Sequence, residues 1–185
     1  MLLKESKTMR VYSYSPQLLD QILADIASPA ERNLAEQIIT RFADAGLKIQ
    51  VKHLYYDKPH AFFQVRLFIK KSAEHVIINT KTHHGKGTIT DESVIQIRIS
   101  NQSTLDNLDT LSENVLNQII NGGDCGNCYP TCEGKQYRFS YQGKDYIKCR
   151  VMCNNFHFTG LAETDIPAFM TMIDNELVKS KSAKK

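Results

Sequence analysis

Apolar residues along the chain first recur at helical spacing. In SPQLLDQILADIA (residues 15–27), Leu18, Leu19, Ile22, Leu23 and Ile26 form one stripe, Ser15 is suited to cap the helix and Pro16 to open it. The next run, SPAERNLAEQIITRFADAG, places Ser28 and Glu31 at capping-box spacing and Pro29 in the first turn. Its apolar residues Leu34, Ile38 and Phe42 recur at i, i+4 and i+8 until Gly46 ends the pattern. Two helices joined by so short a connection predict a helical hairpin.

At Lys48 the period changes to two. KIQVKHLYY, AFFQVRLFI, HVIINT and VIQIRIS read as four strands in which apolar positions alternate with polar ones. Such alternation puts one face on a core and the other in water, which favours an antiparallel sheet. Helical spacing returns in TLDNLDTLSENVLNQIINGG, where Leu111, Val115 and Ile119 share a face and Gly122 stops the run. In TDIPAFMTMIDNELVK, Ile166, Phe169, Met170, Ile173 and Leu177 predict a last helix laid on the sheet. The expected fold is α+β: an antiparallel sheet with an N-terminal helical hairpin, a middle helix, a cysteine-rich β-hairpin and a C-terminal helix.

At 185 residues, 42% of them hydrophobic, the chain can bury a core of its own, and the pattern is read as one domain over 1–178. Residues 179–185 are expected to be a disordered basic tail. The formal charge of +3 comes largely from that tail, because removing Lys179, Lys181, Lys184 and Lys185 leaves 19 basic against 20 acidic residues. A near-neutral body lacks the broad cationic field of a duplex binder. The start, MLLKESKTMRVYS, has no apolar stretch of signal-peptide length and nothing later reaches a membrane span, so a cytoplasmic protein without a membrane partner is expected.

All five cysteines fall between Cys125 and Cys153. An odd number without a secretory signal argues against a disulfide framework. A redox C-x-x-C sits at a helix N-terminus, whereas CGNC follows a helix and runs into Tyr129-Pro130-Thr131. The C-x₂-C-x₃-C spacing matches neither common iron–sulfur run, and five buried fillers within 29 residues is a poor account of the clustering. Structural zinc remains, because two close pairs joined by a hairpin supply four thiolates at small entropic cost.

Between those pairs, KQYRFSY and KDYIKCRV flank Gln142-Gly143-Lys144-Asp145, and a two-residue Gly-Lys loop predicts a type II′ turn with 142 opposite 145, 141 opposite 146 and 139 opposite 148. One face then gathers Tyr137, Phe139, Tyr141, Tyr146, Lys148 and Arg150, and the other Ile147, Cys149 and Val151. A straight strand would hold the β-carbons of Cys149 and Cys153 roughly 13 Å apart, too far for one tetrahedral ion. Either the chain turns after Cys149 and the ligands are Cys125, Cys128, Cys149 and Cys153, or Cys132 takes the place of Cys153. Five nearby cations, Lys135, Arg138, Lys144, Lys148 and Arg150, favour thiolates.

With these residues, the segment 122–155 resembles a zinc ribbon, a structural module. The order of helices, sheet, helix and cysteine-bearing hairpin before a last helix is similar to uncharacterised bacterial cytosolic proteins of unknown function. Neither resemblance implies an activity, and the three-residue gap between Cys149 and Cys153 departs from the common two-residue ribbon spacing.

Other candidates carry bland readings beside the functional one. Tyr137, Phe139 and Tyr141 could stack bases while Lys148 and Arg150 meet phosphates, or the same face could pack with its cationic stems extended to water. His83, His84 and Lys86 in THHGKGTITDES are read as part of a mobile polar loop, and His157 as a solvent-facing strand residue rather than a metal ligand. HLYYDKPHAFF could line a pocket near Tyr55, Tyr56 and Phe62. No nucleophile–base, H-E-x-x-H or dinucleotide motif occurs. The expectation is a non-enzymatic binding or interaction module with structural zinc and a protein or small-molecule partner, nucleic acid ranking lower. A small-molecule binder or enzyme at the aromatic turn and a single-strand nucleic-acid protein stand as alternatives.

Overall fold

A computed structural model describes residues 8–57, 60–70, 73–84, 88–99, 104–105, 107–122, 136–149 and 156–182, with side chains described except at 8, 55–57, 60, 70, 73, 83–84, 88, 149 and 179–182. Cα packing groups the chain into two compact units, Met1–Ile95 and Gln96–Lys185, where the sequence pattern suggests one domain over 1–178. The architecture is α+β with antiparallel pairing, and no described helix is long and apolar enough to cross a membrane.

In the first unit, β1 (Thr8–Ser13) leads into α1 (Pro16–Ala24) and α2 (Pro29–Asp44). Both helices start as their caps dictate: Ser15 and Ser28 accept, on their hydroxyls, the N–H groups of Leu18 and Glu31, each at 3.3 Å. Arg32 closes the corner by donating Nη2–H to the Ile26 carbonyl at 2.8 Å. Gly46, with φ +63°, ends α2 in a conformation that a Cβ would disfavour.

Strands β2 (Lys48–Asp57), β3 (His60–Lys70) and β4 (Ala73–Asn79) follow, and the order within this unit is β1-β2-β3-β4 with every ladder antiparallel. Register aligns side chains in rows. Ile49, Leu67 and Val76 form one row, and Val51, Val65 and Ile78 the next. Together with buried Ile22, Ile26, Leu34, Ile38 and Phe42, the buried members of these rows, Val51, Val65, Leu67, Val76 and Ile78, make the core, each such side chain contributing about 1.5–3 kcal/mol. The opposite face carries a polar stretch, where Arg66 donates to Glu74 at 2.5 Å and to Gln64 at 2.7 Å and Gln64 donates to Asn79 at 2.9 Å, beside the buried cross-strand pair Leu54 and Phe62.

Buried polar groups tie the helices to the strand ends. Ser93 donates its hydroxyl to buried Glu31 at 2.5 Å. Thr80, fully buried, accepts the Phe63 N–H at 2.9 Å and donates to Asp25, whose other oxygen lies 3.3 Å from Lys81 Nζ.

Several expectations need correction. The N-terminal stretch forms strand β1, which carries no burial signal because Met9 and Val11 are half-exposed on a sheet edge. The polar loop THHGKGTITDES contains a short ladder of β5 (Thr82–His84) and β6 (Thr88–Thr90). Strand β7 covers Val94–Ile97 rather than extending to residue 100. The middle helix, α3, runs only Glu113–Asn121, because the Ser112 hydroxyl caps it and Leu111 is extended.

The second unit continues with β8 (Gln136–Tyr141), β9 (Lys144–Cys149), β10 (Phe156–Phe158) and α4 (Ile166–Ser182). Helix α4 reaches Ser182, so residues 179–182 belong to a helix and not to the disordered tail. Its expected stripe is buried, and Phe169 meets Phe158 edge-on at 5.0 Å.

Removing the donor to a buried carboxylate tests the first unit. Ser93→Ala should lower its unfolding free energy by about 1–3 kcal/mol, read from urea titration; a change below about 0.3 kcal/mol would show that Glu31 does not depend on Ser93.

Candidate functional site at the helix–hairpin junction

Helix α3 is held on both sides by side chains that act as backbone. Gln118 accepts the Thr159 N–H at 2.8 Å and donates to the Thr159 carbonyl at 3.0 Å, completing a strand-like pair from a helix. One turn earlier Asn114 donates to the Gly160 carbonyl at 3.2 Å and to Asp165 at 2.8 Å. Burial pushes the Asp165 carboxyl up, but hydrogen bonds from the Ala162 N–H, the Asn114 amide and the Ser112 hydroxyl outweigh it, so it titrates below its ordinary range.

The C-terminus of α3 receives a lysine from the hairpin. Lys148, only 2% exposed, donates from Nζ to the Ile120 carbonyl at 2.5 Å and to the Gly122 carbonyl at 2.8 Å. Both carbonyls belong to the helix end, where the macrodipole is negative and intrahelical partners run out. The Tyr146 ring lies 5.6 Å from the same ammonium. A Cβ at Gly122 would come within 2.9 Å of the Gln118 carbonyl oxygen and 3.4 Å of the Phe156 ring, so only glycine fits there without displacement.

The hairpin differs from expectation in register but not in facing. Tyr141 pairs with Lys144, Phe139 with Tyr146, Tyr137 with Lys148 and Gln136 with Cys149. The turn is Gln142-Gly143 with φ +49° and +74°, the double left-handed pattern of a type I′ turn rather than the predicted type II′. The slip is two residues, so Tyr137, Phe139, Tyr141, Tyr146 and Lys148 still share one face.

That face is a packing face over much of its length. Tyr137 and Phe139 are buried, with Tyr137 against Phe156 at 5.5 Å between ring centres and Phe139 stacked on Tyr146 at 5.2 Å. Tyr141 is half-buried, and Arg150 lies outside the described residues. Lys148 spends its ammonium on helix carbonyls, which a phosphate contact would have to displace.

Cys125, Cys128, Cys132 and Cys153 lie outside the described residues, and of Cys149 only the backbone is described, at the end of β9. Among the described residues no group of three or more His, Cys, Asp or Glu could hold a metal ion. His157 is exposed between buried Phe156 and Phe158, as its strand position predicts. The side chains of His83, His84, Tyr55 and Tyr56 and all of Lys86 are outside the described residues, while Phe62 is buried.

What the described residues bring together are the four chain ends that bound the cysteine segments. Gly122 is joined to Lys148 by hydrogen bond, Gln136 pairs with Cys149, and Phe156 packs on Tyr137 with its ring in the space a Cβ at Gly122 would approach. The segments 123–135 and 150–155 thus each leave from and return to one cluster. The roles of Gln118 and Lys148 were missed from sequence; a lysine alternating with Tyr137, Phe139, Tyr141 and Tyr146 on an apolar face was the available signal. No protein family, curated protein or solved structure matches this chain.

Two measurements follow from this junction. Lys148→Met should destabilise the second unit by about 2–3 kcal/mol through the loss of two charge-assisted bonds to α3, as followed by hydrogen exchange at residues 117–121; unchanged protection there would rule the cap out. For Asp165 the folded pKa is depressed, so its contribution is complete above the ordinary carboxylate range near pH 4 and is lost as pH falls through the lower folded value. Asp165→Asn should therefore flatten the acid limb of the stability profile below about pH 4, and an unaltered limb would contradict that assignment.

Proposed function

We infer that the chain is a non-enzymatic, cytosolic binding or interaction module whose second unit is secured by one structural zinc ion in a ribbon-like site. The ligands are Cys125, Cys128, Cys149 and Cys153, with Cys132 the alternative to Cys153. The observation that carries this reading is the convergence of Gly122, Gln136, Cys149 and Phe156 on one cluster.

Chain length turns that convergence into a bound on distance. Cys125 is three residues from Gly122, Cys132 four from Gln136, and Cys153 three from Phe156. At no more than about 3.6 Å per residue, each of those Cα atoms stays within about 15 Å of its anchor. Cys128, six residues from Gly122, stays within about 22 Å. Chain length therefore permits these thiols to meet at one point, as a tetrahedral site requires.

Energetics favour the same reading. Segments 123–135 and 150–155 hold few apolar residues, Tyr129, Pro130, Val151 and Met152 besides the cysteines, so hydrophobic burial offers little to offset their conformational entropy. A metal that binds only the folded arrangement supplies what burial does not. An all-thiolate shell leaves no open position for water or substrate, which makes the ion structural rather than catalytic.

Purified protein should contain about one zinc per chain by plasma mass spectrometry, released when a mercurial caps the thiols and reported by a chromophoric chelator. Cys132→Ser should retain the metal and Cys153→Ser should lose it; the reverse pattern assigns Cys132 instead. Protein free of zinc, or carrying iron with visible charge-transfer absorption, would falsify the zinc assignment.

A further inference from the structure

In the first unit, α1 and strands β1, β2 and β3 border an open cleft of about 460 Å³, within the range of small-molecule sites. It stands apart from the zinc reading, since none of its described lining residues is a cysteine. Its aromatic wall is His53, stacked on Phe63 with ring centres 4.3 Å apart and planes 13° apart, a pair set directly opposite in the β2–β3 ladder. Tyr12 and Ser13 at the end of β1 and Gln17 and Gln21 on α1 complete the rim.

Three features describe the ligand this cleft suits. First, among the described residues no acidic or basic side chain other than the imidazole lines it. Burial lowers the His53 pKa, with nearby Asp25 and Arg10 acting in opposite senses, which favours the neutral ring. Arg10, directly opposite His53 in the β1–β2 ladder, and Asp25 lie beyond the lining with opposite charges, so a ligand of neither sign is favoured over an uncharged one.

Second, Gln17 and Gln21 are one helical turn apart on α1 and so project on the same side. Each amide offers two donors and one acceptor. Among the described residues the side chains of Ser13, Gln17 and Gln21 make no hydrogen bond, which leaves paired donor and acceptor groups open to a partner. Third, the His53–Phe63 pair and the Tyr12 ring supply flat apolar surface, on which planar rings gain stacking energy.

We propose that this cleft binds an uncharged, planar, hydrogen-bonding heterocycle of nucleobase or nucleoside size. The glutamine amides read the donor and acceptor edge of the ring, and the aromatic side chains take its face. Gln17 and Gln21 are exposed, so replacing them should leave the fold intact.

The test uses the full chain labelled with ¹⁵N-histidine, titrated with adenosine and uridine and with their 5′-monophosphates as anionic counterparts. At least one nucleoside should move the His53 resonances saturably, with a Kd below about 1 mM, and its monophosphate should bind no tighter. The Gln17→Ala/Gln21→Ala double variant should keep the wild-type Tm and bind at least about tenfold more weakly. The proposal is overturned if neither nucleoside perturbs His53 up to its solubility limit. It is equally overturned if the monophosphate binds about tenfold tighter than the nucleoside, or if the double variant binds as wild type does. Because zinc content is measured separately, loss of either result leaves the other standing.

Discussion

A buried ammonium cannot be left without partners, and Lys148 satisfies this constraint by spanning from β9 to the last carbonyls of α3. Desolvating a lysine costs several kcal/mol unless strong acceptors replace water. A helix C-terminus presents such acceptors in a fixed array. The register of β8 against β9 is coupled to this contact, because Tyr137, directly opposite Lys148, packs on Phe156 beside Gly122. A slip of the hairpin by one residue would turn the lysine and both aromatic rings to the wrong face. The same contact brings together the ends of the cysteine-bearing segments.

The first unit solves a different problem. One face of its sheet carries the apolar rows, and the other mixes polar side chains with the buried pair Leu54 and Phe62. What must be specified there is where helix ends meet strand ends. Glu31 with Ser93, and Asp25 with Thr80 and Lys81, do this with groups that lose free energy if their partners move away. Lys81 also reaches Asp91 at 3.2 Å, so the segments after α1, after β4 and after β6 share one ion network.

Elements whose information is local were legible in the sequence. Ser15 and Ser28 sit immediately before their helices, and their hydroxyls cap as their position implies. Strand β3 alternates at Phe63, Val65 and Leu67 because that face is buried. β1 was not legible, since Met9 and Val11 gain little burial on a sheet edge. The hairpin turn misled because Gly143 fits either primed turn type, and only the backbone shows that Gln142 also adopts positive φ. The facing survived because side chains alternate with a period of two. Least legible was the site itself: Lys148 and Gly122 are 26 residues apart, and no local pattern announces a contact of that separation. The cysteine count and spacing pointed to metal chemistry, while the convergence of the flanking ends needed the fold.

The central claim is that the junction gathers thiolates around one divalent ion. Zinc K-edge X-ray absorption of the purified full chain tests it most directly, because it counts the atoms bound to the metal. The account predicts a single shell of four sulfur atoms at about 2.3 Å. A shell of nitrogen or oxygen at about 2.0–2.1 Å, or a sample without a zinc edge, would contradict it.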